Sequence, residues 1–350
     1  MPPNATVTEA INLAASGQDL TSEQAQHVLR EIMSDSVEEV QTAAFLIALR
    51  TKGETVDELT GLASTMRELA LRVDVSGGDL LDTAGTGGGT PTFNVSTTAA
   101  FIAAGAGCRV AKHGNRSATS LCGSADLLEA LGARIDLSPD GVALCIDEVG
   151  FGFMFAPQHH QATRFVVPVR KALGVQTIFN FLGPLTNPAG AEHQLIGVSD
   201  PRYMDLMAGA LVRLGCRRGL VVSGEDGMDE VSIIGETRVV EVTPDGVRSF
   251  TVVPEQVGLT RADPEEIVGG TPERGAEIVQ ELLEGATGSR RALAVINAGA
   301  ALLVAGKASD LEEGVGLAEQ TIDSGAAREA LRHFVEKTNE LAPQKDAQAS

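Results

Sequence analysis

The sequence predicts an α/β fold: a small N-terminal helical domain, then a large α/β domain with a central, mostly parallel sheet. Three observations carry this. The first seventy or so residues hold capped, apolar-striped helix patterns. From Gly77 onward, short apolar, β-branched segments alternate with helical ones, the order that builds parallel sheets. Two polar, glycine-containing turns follow strand-like segments, where an open α/β sheet places its ligands.

Taken in order, Thr21 to Gln24 forms a capping box ahead of the periodic Ala25, Val28, Leu29 and Ile32. Ser36 with Glu39 starts a second helix, which Gly53 closes. Thr55 with Glu58 starts a third, striped by Leu59, Leu62, Met66 and Leu69. These stripes predict a core, or a core plus an oligomer face, rather than a ligand site. Strands are expected at Leu80 to Thr83, Arg109 to Ala111, Gly219 to Ser223 and Leu293 to Asn297. The run from Ala99 to Ala106 reads as a buried helix whose N-terminus lies between Asn94 and Thr98. Residues 165–190 read as a helix, a crossover and a proline-bounded turn. TRVVEVTPDGVRSFTVV reads as a hairpin turning at Pro244-Asp245-Gly246. Helices follow over 272–285 and 310–336, and the polar tail 341–350 is expected to be disordered. No internal repeat is present.

Composition narrows the function. A chain of 350 residues with 43% hydrophobic and 21% charged residues is long enough for two domains and reads as globular. No apolar run reaches the length of a membrane span, and the N-terminus lacks a basic region leading into an apolar core, so a cytoplasmic location is expected. Cys108, Cys122, Cys145 and Cys216 show no CxxC spacing and read as reduced thiols. The net charge of −20, from 47 acidic and 27 basic residues, argues against nucleic-acid or anionic-membrane partners. Tyr203 is the single tyrosine and tryptophan is absent, leaving few platforms for stacking bases. An anionic small molecule would need local positive charge, which Lys112, Arg116, Arg170 and a bound metal could supply.

The chemistry concentrates in residues 82–132. The turn Gly85-Thr86-Gly87-Gly88-Gly89-Thr90, followed by Asn94-Val95-Ser96-Thr97, could let backbone N–H groups and a helix N-terminus converge on a phosphate. It fits neither GxxxxGK[ST] nor GxGxxG, and glycines also make tight turns. Lys112-His113-Gly114-Asn115-Arg116-Ser117 puts two cations, an imidazole and an amide into six residues, though it could equally be a solvated turn. Both in sequence, with hydroxyls at Ser96, Thr97, Thr119, Ser120 and Ser124, favour an anionic ligand.

These motifs closely resemble the anthranilate phosphoribosyltransferase family. The likeness runs from GTGG and TFNVST through KHGNRS and GSADLLEALG to Phe155–His160, Pro168–Lys171, Phe179–Pro188 and Gly227–Ser232, and covers roughly residues 5–335. It implies a nucleoside phosphorylase-type fold, with residues 1–74 and about 166–190 as a helical domain bearing a homodimer face. Residues 75–165 and 191–340 would form the α/β domain. It implies transfer of phosphoribosyl from 5-phosphoribosyl 1-pyrophosphate to the amine of anthranilate, in tryptophan biosynthesis. The residues it places on phosphoribosyl pyrophosphate are Gly85, Gly87, Gly88, Thr92, Asn94, Ser96, Thr97, Lys112, Gly114, Asn115, Thr119 and Ser124. Those it places on anthranilate are Gly85, His113, Asn115, His160 and Arg170, the arginine meeting the carboxylate. It implies two Mg2+ per monomer on Ser96, Asp229 and Glu230. From the residues alone, Asp229-Glu230 could be a solvated acidic turn and Arg170 a surface helix residue. No general base is assigned; His113 is the candidate.

One departure stands out. The family commonly reads GTGGDG with a longer insert before TFNIST, whereas this chain has GTGGGTPTFNVST, one residue shorter and with Gly89 or Thr90 in place of the Asp. The expectation is altered Mg2+ dependence, with weaker inhibition by metal, rather than loss of activity. Two other readings compete: a pyrimidine nucleoside phosphorylase, and a non-catalytic homologue that binds nucleic acid. The first is disfavoured by KHGNRS, PVRKALG and the missing extra domain, the second by the acidic charge.

Overall fold

The computed structural model describes residues 2–117 and 121–341. Its N-terminal part is helical: α1 Ala5–Ala15, α2 Ser22–Met33, α3 Glu39–Lys52 and α4 Val56–Glu68. Both threonine capping boxes form, Thr21 with Gln24 and Thr55 with Glu58. The start of α3 differs from expectation. Glu38 takes the N-cap with no side-chain capping bond, because the Ser36 hydroxyl is turned onto Glu31, 2.9 Å from its carbonyl oxygen and 2.8 Å from its carboxylate. Helix α1 was not individually predicted; Asn4 caps it through Val7 N–H, and its buried stripe is the small set Val7, Ala10 and Ala14. Leu69, expected in the α4 stripe, sits past the helix end and is exposed.

The larger part follows as β1 Leu80–Gly85, α5 Val95–Gly105, β2 Arg109–Gly114, α6 Ser124–Ala130, α7 Pro139–Val149, β3 Phe151–Phe155 and α8 Ala156–His159. Next come α9 Val167–Leu173, α10 Phe179–Leu185, β4 His193–Gly197, α11 Met204–Arg213, β5 Arg218–Gly224, β6 Thr237–Thr243 and β7 Gly246–Val252. Helices α12 Pro272–Leu283, α13 Ser289–Val304, α14 Leu311–Asp323 and α15 Ala326–Leu341 complete it. Among the described residues the sheet has seven strands in the order β3-β2-β1-β4-β5-β6-β7. The five from β3 to β5 run parallel, and β6 and β7 extend the edge as the expected antiparallel hairpin.

Two expectations fail. Leu293 to Asn297 is no strand but lies within α13, every residue of which from Leu293 to Val304 is buried. An all-round buried helix has the same continuous apolar run as a buried strand. The helix expected over 310–336 is two helices, because Gly325 adopts φ 80° between α14 and α15. Of the tail expected over 341–350, Leu341 instead ends α15, and 342–350 lie outside the described residues.

Strand side chains alternate between two hydrophobic clusters. Leu220 and Val222 of β5 face one, Val221 the other. The first joins β1–β3 to α5–α7 and α12–α15 around Phe101, Phe151 and Phe334, with Phe101 and Phe151 stacked at 4.2 Å. The second joins α1–α4 to α9, α10, α11 and the opposite sheet face.

Candidate active site

The strand order reverses at β1, flanked by β2 on one side and β4 on the other, so the carboxyl ends of these strands open onto a crevice. The glycine-rich turn leaves β1 there. Gly87 and Gly88 have φ of 69° and 79°, which a side chain would strain. The Asp229 carboxylate lies against the turn: its Oδ2 accepts from Gly87 N–H at 2.8 Å and stands 2.5 Å from where a Cβ on Gly85 would be. On the same side, Thr90 N–H donates to Gly227 O (3.1 Å) and Thr90 Oγ1 to Asp226 O (2.6 Å). Across from them, Ser199 Oγ donates to Gly87 O at 2.9 Å. The turn is therefore a docked strap whose Gly85, Gly87 and Gly88 remain exposed.

Lys112 and His113 are neighbours on β2 and so point to opposite faces. The six-residue polar run read in the sequence as one cradle is split by the sheet. Lys112 is buried on the α5 side, where Nζ donates to the Thr83 carbonyl (2.5 Å) and to Ser96 Oγ (3.3 Å). Burial lowers its pKa, opposed by the negative Asp82 and Glu230. Burial raises the pKa of Asp229 and pushes that of Glu230 well up, the latter helped by the adjacent Asp229. Two neighbouring carboxylates that resist ionisation without a divalent counter-charge, beside a hydroxyl at Ser96, suit a hard cation. Among the described residues no cluster of three or more His, Cys, Asp or Glu side chains could hold a metal.

His113 faces the helical side. Its Nδ1 meets the Gly183 carbonyl at 3.2 Å, which requires that nitrogen to carry the proton. Burial, and His160 at 5.0 Å between ring centroids, hold His113 well below its ordinary pKa. The ring is neutral and its buried Nε2 is an acceptor with no partner among the described residues. His160 donates through Nε2 to Thr186 O (3.1 Å), and burial lowers its pKa to about 4. Arg170, on α9, is half-buried and has no carboxylate partner among the described residues; its guanidinium lies 5.8 Å from the Phe179 ring centroid. Burial alone lowers its pKa. An arginine in that state invites an anion.

The remaining predicted residues are placed less tightly. Asn94 precedes α5 and donates to Cys122 O (3.2 Å), while Thr97 Oγ1 is buried without a partner among the described residues. Thr92 is half-buried beside the backbone of Gly269. Gly114 gives room to Ser124, whose Oγ lies 2.2 Å from where a Cβ on Gly114 would stand and donates to Asn115 O (3.3 Å). Thr119 and Ser120 lie outside the described residues. Arg116 does not lend the site its charge as expected. It pairs with Asp126 (2.7 Å) and Glu129 (2.6 Å) of α6 on the surface. Side chains the sequence reading passed over also shape the site, above all Asp82 and Asn187. The visible signal was a carboxylate inside the apolar strand LLDTAG.

Comparison with known proteins decides the family. Residues 77–328 match the model of the glycosyl transferase family a/b domain, and residues 8–70 that of the family's helical bundle domain. The anthranilate phosphoribosyltransferase of Symbiobacterium thermophilum is 53% identical over 93% of this chain and 96% of its own. The chain belongs to the anthranilate phosphoribosyltransferase family. It is accordingly an enzyme of the pentosyltransferase class. Another family member, from Desulfatibacillum aliphaticivorans, is 49% identical over 95% of this chain and 99% of its own. Among solved anthranilate phosphoribosyltransferases, that of Thermus thermophilus superposes with a TM-score of 0.90 at 46% identity, covering 94% of this chain and 99% of its own. The Saccharomyces cerevisiae enzyme, solved in complex with phosphoribosyl pyrophosphate and Mg, superposes at 0.89 with 28% identity, covering 97% and 99%. Among the described residues no helix is long and apolar enough to cross a membrane.

Proposed function

We propose that this chain transfers the phosphoribosyl group of 5-phosphoribosyl 1-pyrophosphate to the amine of anthranilate, in the route to tryptophan. The amine nitrogen bonds to the anomeric carbon, the carbon–oxygen bond to pyrophosphate breaks, and the amine loses a proton. The observation that carries this reading is a strapped glycine turn, approached at Gly88 by the Gln176 side chain, with a half-buried arginine six residues before that glutamine that lacks a carboxylate partner among the described residues. The turn's free N–H groups, with Asn94, Ser96, Thr97, Lys112 and Ser124, take the phosphoribosyl pyrophosphate. Arg170 takes the anthranilate carboxylate, and the unpaired His113 Nε2 accepts a hydrogen bond from the amine. Asp229, Glu230 and Ser96 would hold Mg2+, two ions per monomer, whose chemistry is to neutralise charge on departing pyrophosphate. Lys112 orients Ser96 from below. Bringing both partners together supplies much of the rate, since an arylamine is already a neutral nucleophile. We further read residues 1–74 with 166–190 as the helical unit carrying a homodimer face, and the enzyme as cytoplasmic.

The test is loss of anthranilate fluorescence with phosphoribosyl pyrophosphate and Mg2+, run beside Arg170→Ala. Losing a hydrogen bond to a charged group costs about 1.5–3 kcal/mol, so anthranilate KM is expected to rise by about tenfold or more. No consumption by the wild type would sink the reading.

A further inference from the structure

We propose that Asp82 and Asn187 are a positioning pair that fixes the acceptor wall of the crevice against β1 and β2; this rests on anthranilate occupying the wall of His113, His160 and Arg170. Asp82 is the third residue of β1 and is 1% exposed. One carboxylate oxygen accepts from the backbone N–H of His113 (3.2 Å), and the other from the Asn187 side-chain amide (2.7 Å). That amide also donates to the Ala111 carbonyl at 2.7 Å, while its oxygen accepts from Ala189 N–H at 2.9 Å. Asn187 is thus held from both ends and cannot flip its amide.

The segment leading to Asn187 presents its carbonyls to the two imidazoles, Gly183 to His113 and Thr186 to His160. A closed ring of bonds results. Asp82 holds the His113 backbone, the His113 ring holds Gly183, the chain runs on to Asn187, and Asn187 returns to Asp82. Both partners of Asp82 are donors, so only a group that accepts on both atoms satisfies them. An asparagine at position 82 would turn an NH2 against one of them. Lys112, buried on the other face of β2, supplies the opposite charge. No bond of the ring touches the glycine turn or Asp229. The pair therefore governs where the acceptor sits and reaches the diphosphate side only through the charge of Asp82 on Lys112, which Asn187→Ser leaves in place. It acts through the imidazoles and does not contact the reacting atoms.

The experiment varies each substrate in turn for the wild type, Asn187→Ser, Asp82→Asn and the double variant, with thermal unfolding measured on all four. Asn187→Ser keeps the Asp82 charge and Lys112. It is expected to raise anthranilate KM about tenfold while phosphoribosyl pyrophosphate KM moves less than about twofold. The double variant should be no worse in anthranilate KM than the worse single one, since either opens the same ring. An equal rise in both KM values, or single effects that multiply in the double variant, would overturn the pair's role. If Asn187→Ser does not fold, the isosteric Asp82→Asn carries the test, with a larger rise in anthranilate KM than in phosphoribosyl pyrophosphate KM expected and equal rises refuting it. A wild type that consumes no anthranilate would instead remove the functional reading on which the pair depends.

Discussion

Replacing Gly85 by alanine tests whether Asp229 is the hinge between the glycine turn and the metal. Gly85 does not have a positive φ, so an alanine there meets no backbone strain. What it meets is the Asp229 carboxylate, 2.5 Å from the new Cβ, a distance no real pair of atoms of this kind keeps. The carboxylate is the free end of its side chain, so it is the carboxylate that yields and not the backbone of the turn. It must rotate away and surrender its 2.8 Å bond from Gly87 N–H. A hydrogen bond to a charged group contributes about 1.5–3 kcal/mol, which is about tenfold to 150-fold in an equilibrium. The Mg2+ concentration giving half-maximal rate should rise by that factor, read by titrating initial rate at saturating substrates. Gly87→Ala is the control: φ is +69°, but nothing lies within 4 Å of the added methyl. It meets only the left-handed backbone penalty of about 1–2 kcal/mol and leaves Asp229 in place. A wild-type Mg2+ midpoint in Gly85→Ala, or an equal shift in both variants, would refute the reasoning.

Restoring the family's aspartate at Gly89 should not simply add a carboxylate. Its Cβ would stand 2.5 Å from Gly227 O, so Gly89→Asp is expected to displace the turn and lower the maximal rate at every Mg2+ level; a wild-type maximum would refute this. His160 makes stability pH-dependent. Its folded pKa, about 4, lies below the ordinary 6.5, so its contribution is complete above pH 6.5 and is lost as pH falls. At pH 5 the loss is about 2 kcal/mol. His113 acts in the same direction, while the raised pKa values of Asp82, Asp229 and Glu230 act oppositely. The measurement is therefore the difference between wild type and His160→Gln in unfolding free energy, which should move by about 2 kcal/mol in the variant's favour from pH 7 to pH 5. Parallel curves would refute it. In the helical part, buried Glu58 accepts from Leu20 N–H (2.9 Å), Thr55 N–H (2.9 Å) and Lys52 Nζ (3.1 Å). Glu58→Gln strands at least one donor and should cost about 3–5 kcal/mol in denaturant unfolding.

The parts of the fold legible in the sequence were those whose signal is local. Thr21 and Thr55 announce their helices because a cap and its reciprocal partner sit three residues apart. The β6–β7 hairpin was legible because proline, aspartate and glycine mark a two-residue connection between Thr243 and Gly246. Ser36 misled because its hydroxyl had a competing partner in Glu31, on the preceding helix. Leu293 to Asn297 misled because period disappears when every face is covered. The helix at α13 is surrounded by α5, α14 and the sheet, so nothing in its pattern separates 3.6 from 2.

For the site, residue types were readable but directions were not. KHGNR was visible as a polar cluster, yet its effect depends on one fact of strand geometry, that Lys112 and His113 leave β2 on opposite sides. One consequence is a cation beside Ser96 and Glu230, and the other an imidazole beside the Gly183 carbonyl and His160 on the helical side. Arg116, two residues beyond the strand, escapes this alternation and is free to turn onto α6, where Asp126 and Glu129 hold it. The same alternation explains why a carboxylate is tolerated in the middle of LLDTAG. On β1, Asp82 points to the face that holds Asn187, while the Thr83 hydroxyl donates to the Ser96 carbonyl on the α5 side. On the proposed assignment of substrates, the two faces of adjacent strands thus separate the groups for phosphoribosyl pyrophosphate from those for the acceptor, and the sheet register sets the two side by side.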